Sequence, residues 1–176
     1  MRPEPDCSLC GLCQGRTQLV LPDGDFSSGV VFVGEAPGEN EDLEGRPFVG
    51  RSGKILEGMM ADAGISRSDV TITNTFKCRP PSNRDPKPEE MAACRPFLES
   101  ELYDAKLVVG LGRSAVRDLL GHEGKMSDVV NVLTTIRIRD RDVRFLPAYH
   151  PAATIYNKSS REELRRTMAI VKEMME

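Results

Sequence analysis

The sequence predicts an α/β fold, a three-layer α/β/α sandwich around a mostly parallel central sheet. Three observations point there. Apolar runs at Val30–Val33, Val70–Asn74 and Leu107–Val109 alternate with segments whose apolar residues recur at helical spacing. The first and third runs are apolar on every residue, as in strands covered on both faces. A hairpin pattern, Val132–Arg139 returning through Val143–Tyr149, closes the series. With 176 residues the chain has the length of one domain with a real core, so a single domain over residues 1–176 is expected.

Each element has its own signal. Pro22 to Gly29 is turn-forming and leads into the first strand. Ile55, Leu56, Met59, Met60 and Ala63 share a helix face, and Gly64 follows as a left-handed cap. Between Lys77 and Pro88 the prolines at 80, 81, 86 and 88 rule out helix. Pro88 suits the first position of the next helix, with Glu89 and Glu90 at its positive end. That helix carries Met91, Cys94, Phe97 and Leu98. After the third strand, Ala115, Val116, Leu119 and Leu120 mark a helix closed by Gly121. The turn Asp140–Asp142 joins the hairpin strands. Ser160 with Glu163 reads as a capping box for a last helix, which turns Leu164, Met168, Val171 and Met175 inward.

Composition narrows the function classes. Hydrophobic residues at 39% and charged residues at 29% describe a soluble globular chain, and a mean hydropathy of -0.35 agrees. No stretch suits a bilayer, and the first residues lack the apolar segment of a signal peptide, so a cytoplasmic protein without membrane contact is expected. A formal charge of -3 argues against a generally basic surface, while leaving room for a local basic face on nucleic acid.

Cysteines stand at 7, 10, 13, 78 and 94. An odd number in such a chain points away from a disulfide framework and toward metal or cluster ligation. Cys7 and Cys10 form a C-x2-C pair, Cys10 and Cys13 a second one. Cys78 sits in the proline-rich loop and Cys94 on the helix after it. Spacing leaves zinc and an iron–sulfur cluster equally open. Either would tie the N-terminal peptide to that loop and present Lys77, Arg79, Arg84 and Lys87 as an exposed phosphate-docking set.

The first strand runs into Gly34, and polarity then changes abruptly through Glu35, Glu39, Glu41, Asp42 and Glu44 to Phe48. An ordinary solvated βα loop has little use for two glycines, two prolines and an isolated phenylalanine among carboxylates. The carboxyl ends of parallel strands are where α/β sheets place ligands. Loops from Glu35 to Phe48, from Asn74 to Pro88 and from His150 to Ala153 are expected to converge there.

Taken together, Cys7 to Cys10 with Gly15-Arg-Thr, Gly34-Glu-Ala-Pro-Gly-Glu-Asn-Glu-Asp, Gly45-Arg-Pro-Phe-Val-Gly50, Thr73-Asn74, Lys77-Cys-Arg-Pro-Pro-Ser-Asn-Arg and His150-Pro-Ala resemble the family 4 uracil-DNA glycosylases over nearly the whole chain. The resemblance implies a 4Fe–4S cluster held by Cys7, Cys10, Cys78 and Cys94, with Cys13 spare. It implies a uracil site lined by Gly34, Glu35 and Ala36, with Phe48 stacked on the base and Asn74 reading its edge. Glu41 would fill the space of a thymine methyl, and His150 would approach O2. The implied reaction is hydrolysis of the N-glycosidic bond of uracil in single- or double-stranded DNA by a monomeric enzyme, with His150 and Glu35 as the catalytic pair. The alternative is a cluster-containing module that binds DNA or a base without turnover.

Asn74 suits its implied task, since it can accept from uracil N3–H and donate to O4, whereas cytosine presents the reverse pattern. Ala36 stands where many superfamily members carry a carboxylate or amide, which leaves water activation to Glu35 or Asn83. Two departures from the family pattern concern DNA contact. Ser127 to Asn131 replaces the usual arginine-glycine. Ile155 and Tyr156 stand at the expected wedge position, with Arg161 as a phosphate contact.

Overall fold

A computed structural model describes all of residues 1–176. Its strands are β1 (Asp23–Gly24), β2 (Val30–Gly34), β3 (Thr71–Asn74), β4 (Leu107–Leu111), β5 (Thr134–Ile138) and β6 (Arg141–Ala148). They form one sheet in the order β1-β3-β2-β4-β6-β5, parallel at its centre and antiparallel at both edges. The helices are α1 (Glu39–Glu44), α2 (Arg51–Asp62), α3 (Pro88–Leu102), α4 (Arg113–Leu120) and α5 (Lys158–Met175).

Alternating side chains of the central strands feed two cores. Phe32, Ile72, Val109 and Leu146 pack with Leu56 and Met60 of α2 and Leu164, Met168 and Val171 of α5. Val31, Val33, Val108 and Phe145 face the other way, against Leu98 and Leu102 of α3 and Val116 of α4. This is the expected three-layer sandwich. Burying each such side chain contributes roughly 1.5–3 kcal/mol relative to leaving it exposed. A third, smaller cluster joins Leu12 and Phe76 to Cys78 at the N-terminal lobe.

The chain passes from β2 to β3 on one side and then crosses to β4 on the other, so the topology reverses at β2. The crevice at its carboxyl end is therefore where a ligand is expected. Gly34, Asn74, Gly112 and His150 all lie at or just beyond the carboxyl ends of parallel strands.

Several local expectations need correction. The acidic segment after β2 is not all loop: α1 forms there, entered at Gly38 and closed by Gly45 at φ 75°. Three acidic side chains in its first turn favour the helix electrostatically. One of the acids, Asp42, is buried and accepts from the Thr17 N–H at 2.8 Å, which docks the N-terminal segment. α5 begins earlier than the Ser160–Glu163 pattern suggests, because Asn157 is the cap and accepts from the Ser160 N–H at 3.0 Å. Glu163 instead accepts from Asn131 of the preceding loop. The hairpin turn lies at Arg139 and Asp140, with Arg139 at φ 55°, and β6 already starts at Arg141.

The Lys77–Pro88 segment is exposed over much of residues 81–88, but it begins buried. Lys77 is 1% exposed and Cys78 is 6% exposed. Arg84 makes paired 2.8 Å bonds to both oxygens of buried Glu90, and Arg79 bonds Asn83. Charges that composition suggests are free for phosphate are largely consumed in holding the loop.

Phe48 stands in the left-handed region at φ 52°, a strained place for an aromatic residue. Arg67 holds it there, donating to the carbonyls of Phe48 and Pro47. Gly53 of α2 makes room for the same segment, since a Cβ at that position would stand 1.8 Å from the Phe48 carbonyl oxygen. A paired substitution in α2 checks this constraint. Gly53→Ala should lower stability by about 1–3 kcal/mol through overpacking. Gly58→Ala, with nothing within 4 Å of its added Cβ, should raise stability by roughly 0.5–1 kcal/mol. Urea denaturation of the two variants reads both signs.

Candidate active site

A cavity of about 330 Å3 opens at the carboxyl end of β2, lined by Glu35, Ala36, Gly38, Glu41, Phe48, Ser52, Asn74 and His150. Of the base-site residues expected from sequence, all but Gly34 line this space. Gly34 lies beneath it: a Cβ there would come within 2.6 Å of both the Asn74 Oδ1 and the Phe48 ring. Glycine at this position lets an amide and an aromatic ring converge over bare backbone. The β2–β3 pairing continues past the strands, with the Thr75 and Phe76 N–H groups donating to the Gly34 and Glu35 carbonyls. That pairing fixes how far Asn74 extends toward Gly34.

Asn74 is 3% exposed, and its protein contacts engage the backbone carbonyl, not the side-chain amide. The amide keeps its donors and acceptor for a ligand. Phe48 lines the same cavity, its ring centroid 5.8 Å from that of His150 and tilted by 34°.

His150 caps the 3-10 turn Pro151–Thr154. Its Nδ1 accepts the Ala152 N–H at 3.0 Å, so the ring proton of the neutral form resides on Nε2. Burial lowers the pKa of His150 below its ordinary value, which favours that neutral form. The site thus holds a neutral imidazole with a single N–H donor of fixed tautomer.

The two glutamates differ in kind. Glu41 accepts from the Gly38 N–H at 2.9 Å through one oxygen, and from Val49 and Gly50 at 3.0 and 2.8 Å through the other. Its carboxylate fastens both ends of the α1 segment and is unsuited to proton transfer. Glu35 is half-buried with its carboxylate free of such ties, which leaves it as the acid available to orient water. Asn83, the other candidate for that task, accepts from Arg79 and lies away from the cavity. Of the outer residues, Tyr156 is 91% exposed, whereas Arg161 donates to the Thr154 carbonyl and braces the turn after His150.

Sequence reasoning assigned no role to Arg67 or Arg16. Arg67 holds backbone carbonyls 19 and 20 residues away and Arg16 reaches the Cys78 sulfur 62 residues away, partners that no spacing rule reveals.

A second cavity is lined by all five cysteines, together with Leu9, Leu12, Leu19, Arg16 and Phe97. Its possible metal donors are thiols alone, with neither imidazole nor carboxylate among them, a set that selects soft metal centres. No three of the chain's cysteine, histidine or acidic side chains converge as ligands of one ion. The all-thiol set fits an iron–sulfur cluster and a four-cysteine zinc site alike. Arg16 bridges the lobe, donating to the Cys7 carbonyl at 2.7 Å and to the Cys78 sulfur at 3.4 Å. Burial nevertheless pushes the Cys78 thiol up to about 11. A thiolate there needs the positive charge of a metal centre.

One buried acid near the site carries a pH signature. Burial raises the Asp118 pKa from 3.8 to about 6, with Glu35 adding repulsion against the attraction of Arg117 and Arg95. The folded carboxyl takes its proton at higher pH than the unfolded one. Ionisation therefore opposes folding fully above about pH 6, and the opposition is relieved as pH falls from 6 toward 3.8. Asp118→Asn should stabilise the protein by about 1–3 kcal/mol at high pH and by less as the pH is lowered. Thermal melts at pH 8 and pH 5 check it, and an unchanging gap between variant and parent would contradict it.

Comparisons with known proteins show the family. The family model of the uracil DNA glycosylase superfamily matches residues 21–172. A type-4 uracil-DNA glycosylase of Sulfurisphaera tokodaii is 39% identical over 178 residues, covering 96% of this chain and 80% of that protein. Its counterpart in Saccharolobus solfataricus is 39% identical over 176 residues, with 96% and 82% covered. That of Thermotoga maritima is 41% identical over 162 residues, with 91% and 82% covered. With a superfamily match over most of its length and close full-length relatives of one type, the chain belongs to the type-4 branch of the uracil-DNA glycosylases.

Proposed function

We propose that the chain hydrolyses the N-glycosidic bond of uracil in DNA, releasing free uracil and leaving an abasic site, as the first step of base excision repair. The observation that carries this reading is the meeting of Phe48, Asn74 and a neutral His150 in one cavity at the carboxyl edge of the sheet. Uracil must leave the base stack to enter such a cavity. The Phe48 ring then supplies a stacking surface, and the Asn74 amide accepts from N3–H and donates to O4. Cytosine presents the opposite polarity and is met only if the amide turns over, so its rejection rests on the amide being held in one orientation. The clamped Glu41 forms a rigid wall on the C5 side, where thymine carries its methyl group.

As the glycosidic bond breaks, its electron pair goes to the uracil ring and negative charge gathers at O2. The Nε2–H of His150 donates to that oxygen without itself losing a proton. Water, oriented by Glu35, adds to the electron-poor sugar carbon, and the proton it loses passes through solvent to the departed uracil anion, which is released as neutral uracil. Cys7, Cys10, Cys78 and Cys94 hold a 4Fe–4S cluster in this reading, with Cys13 spare. When bound, the cluster supplies a structural cross-link among the N-terminal segment, the loop after β3 and α3. No helix is long and apolar enough to cross a membrane.

Two experiments test the reading. Oligonucleotides containing uracil, cytosine, hypoxanthine or a mismatched thymine are incubated with the protein and abasic sites are cleaved with alkali. Strand breaks confined to uracil are expected, and His150→Ala should lower kcat by about 10²–10³. Full excision by that variant would remove His150 from the mechanism. For the cluster, anaerobically purified protein should be brown and contain about four iron atoms per chain. Cys78→Ser should lose them and Cys13→Ser should keep them; loss of iron from Cys13→Ser alone would reassign the ligand set.

A further inference from the structure

The base-reading residue and the cysteine lobe meet at one buried lysine. On its outer side β3 loses its neighbour early, because β1 pairs only with Thr71 and Ile72. The carbonyl of Asn74 therefore has no strand partner there. Lys77 supplies the missing donor, its Nζ lying 2.5 Å from that carbonyl oxygen. The same ammonium donates to Thr73 Oγ1 and to Glu101 Oε1, each at 2.8 Å. All three of its protons are thereby used. Thr73 also donates to Glu101 at 2.7 Å, which closes the network onto α3.

This ion pair is a poor device for stability alone. Its side chains are 1% and 9% exposed, and desolvating such a pair offsets most of its attraction. An apolar pair of similar volume would hold α3 against β3 at least as well. What an apolar pair cannot do is grip the carbonyl of Asn74. Lys77 is also bound into the cysteine lobe: it lines that cavity, Cys78 follows it directly, and its carbonyl accepts from the Val20 N–H at 2.8 Å. Ala36 joins the two regions on the β2 side, packing against the Leu12–Phe76–Cys78 cluster while lining the base cavity.

We propose that Lys77 is a positioning residue for base recognition, whose ammonium fixes the backbone at Asn74 and so aims the amide that reads the uracil edge. The inference rests on Asn74 as the reader of the base. Its consequence is that the Lys77 side chain couples the order of the cysteine lobe to the specificity of the pocket.

The test uses Lys77→Met combined with Glu101→Leu, which removes both buried charges together. Iron content and melting temperature report whether the fold and lobe are intact. Inhibition by free uracil reports the aim of Asn74 without any contribution from DNA contacts. The double variant should keep its iron and melt near the parent, yet bind free uracil about 10- to 100-fold more weakly, with kcat/KM lowered to match. Glu101→Gln, which leaves the Lys77 bond to Asn74 in place, should keep the parent's uracil inhibition. Should the first double variant fail to fold, Lys77→Met with Glu101→Gln replaces it, since that pair also buries no charge and retains a partner for Thr73. A folded, charge-free variant with the parent's uracil inhibition overturns the proposal. Asn74→Ala separates the two levels: if it too binds uracil like the parent, the reading of Asn74 has failed and not the role of Lys77.

Discussion

At the end of β2 three things must occupy almost the same space: the strand's backbone, the Asn74 amide and the Phe48 ring. They fit because Gly34 has no Cβ, which would lie 2.6 Å from both neighbours. The close approach brings a hydrogen-bonding edge and a flat apolar face together in one cavity. Much of the surrounding structure serves to maintain it. Arg67 and Gly53 hold Phe48 at its positive φ, Glu41 fastens the segment between Gly38 and Gly50, and the β2–β3 pairing sets the reach of Asn74. Groups locked in this way need little rearrangement when a ligand arrives, which is the physical content of preorganisation.

The division between what the sequence reveals and what it hides follows the range of the interactions. Strands β2 and β4 announce themselves because strands covered on both faces need apolar residues in unbroken runs, and β3 does so through its β-branched residues from Val70 to Thr73. Helices α2 to α5 show themselves through their period. The cavity residues were legible as well, since glycine, phenylalanine and carboxylates in one loop are hard to explain as a connector. The α1 helix escaped because it buries an acid, Asp42, in place of an apolar stripe. The start of α5 was misplaced because asparagine and serine are both good caps, and only the fold shows which one accepts a backbone N–H.

The largest error concerned the loop after β3. Its basic residues look solvated in sequence, yet Lys77 is buried and Arg84 is locked to Glu90. Charge partners at sequence separations of 24 residues, as between Lys77 and Glu101, leave no periodic trace. The same holds for Arg16, whose guanidinium spans from Cys7 to Cys78. In this lobe Lys77 and Arg16 turn toward buried backbone and a thiol and serve architecture, while Arg79, Arg84 and Lys87 stay partly or fully exposed.

The character of His150 explains why Ala36 is tolerable in a hydrolase. A pocket that had to deprotonate water as its main task would need a carboxylate aimed at the sugar, and Ala36 cannot provide one. Here the backbone N–H of Ala152 fixes the imidazole tautomer and burial favours its neutral form, leaving one donor of defined position. Such a donor discriminates between states: it meets a weakly charged O2 in the bound base and a strongly charged one as the bond breaks. The interaction strengthens along the reaction, which is the condition for acceleration. An imidazolium would attract the ground state more and would need a proton that the buried site resists. In the proposed reaction the stabilised leaving base makes the sugar carbon electrophilic by itself, and the half-buried Glu35 would have only to orient the water that captures it.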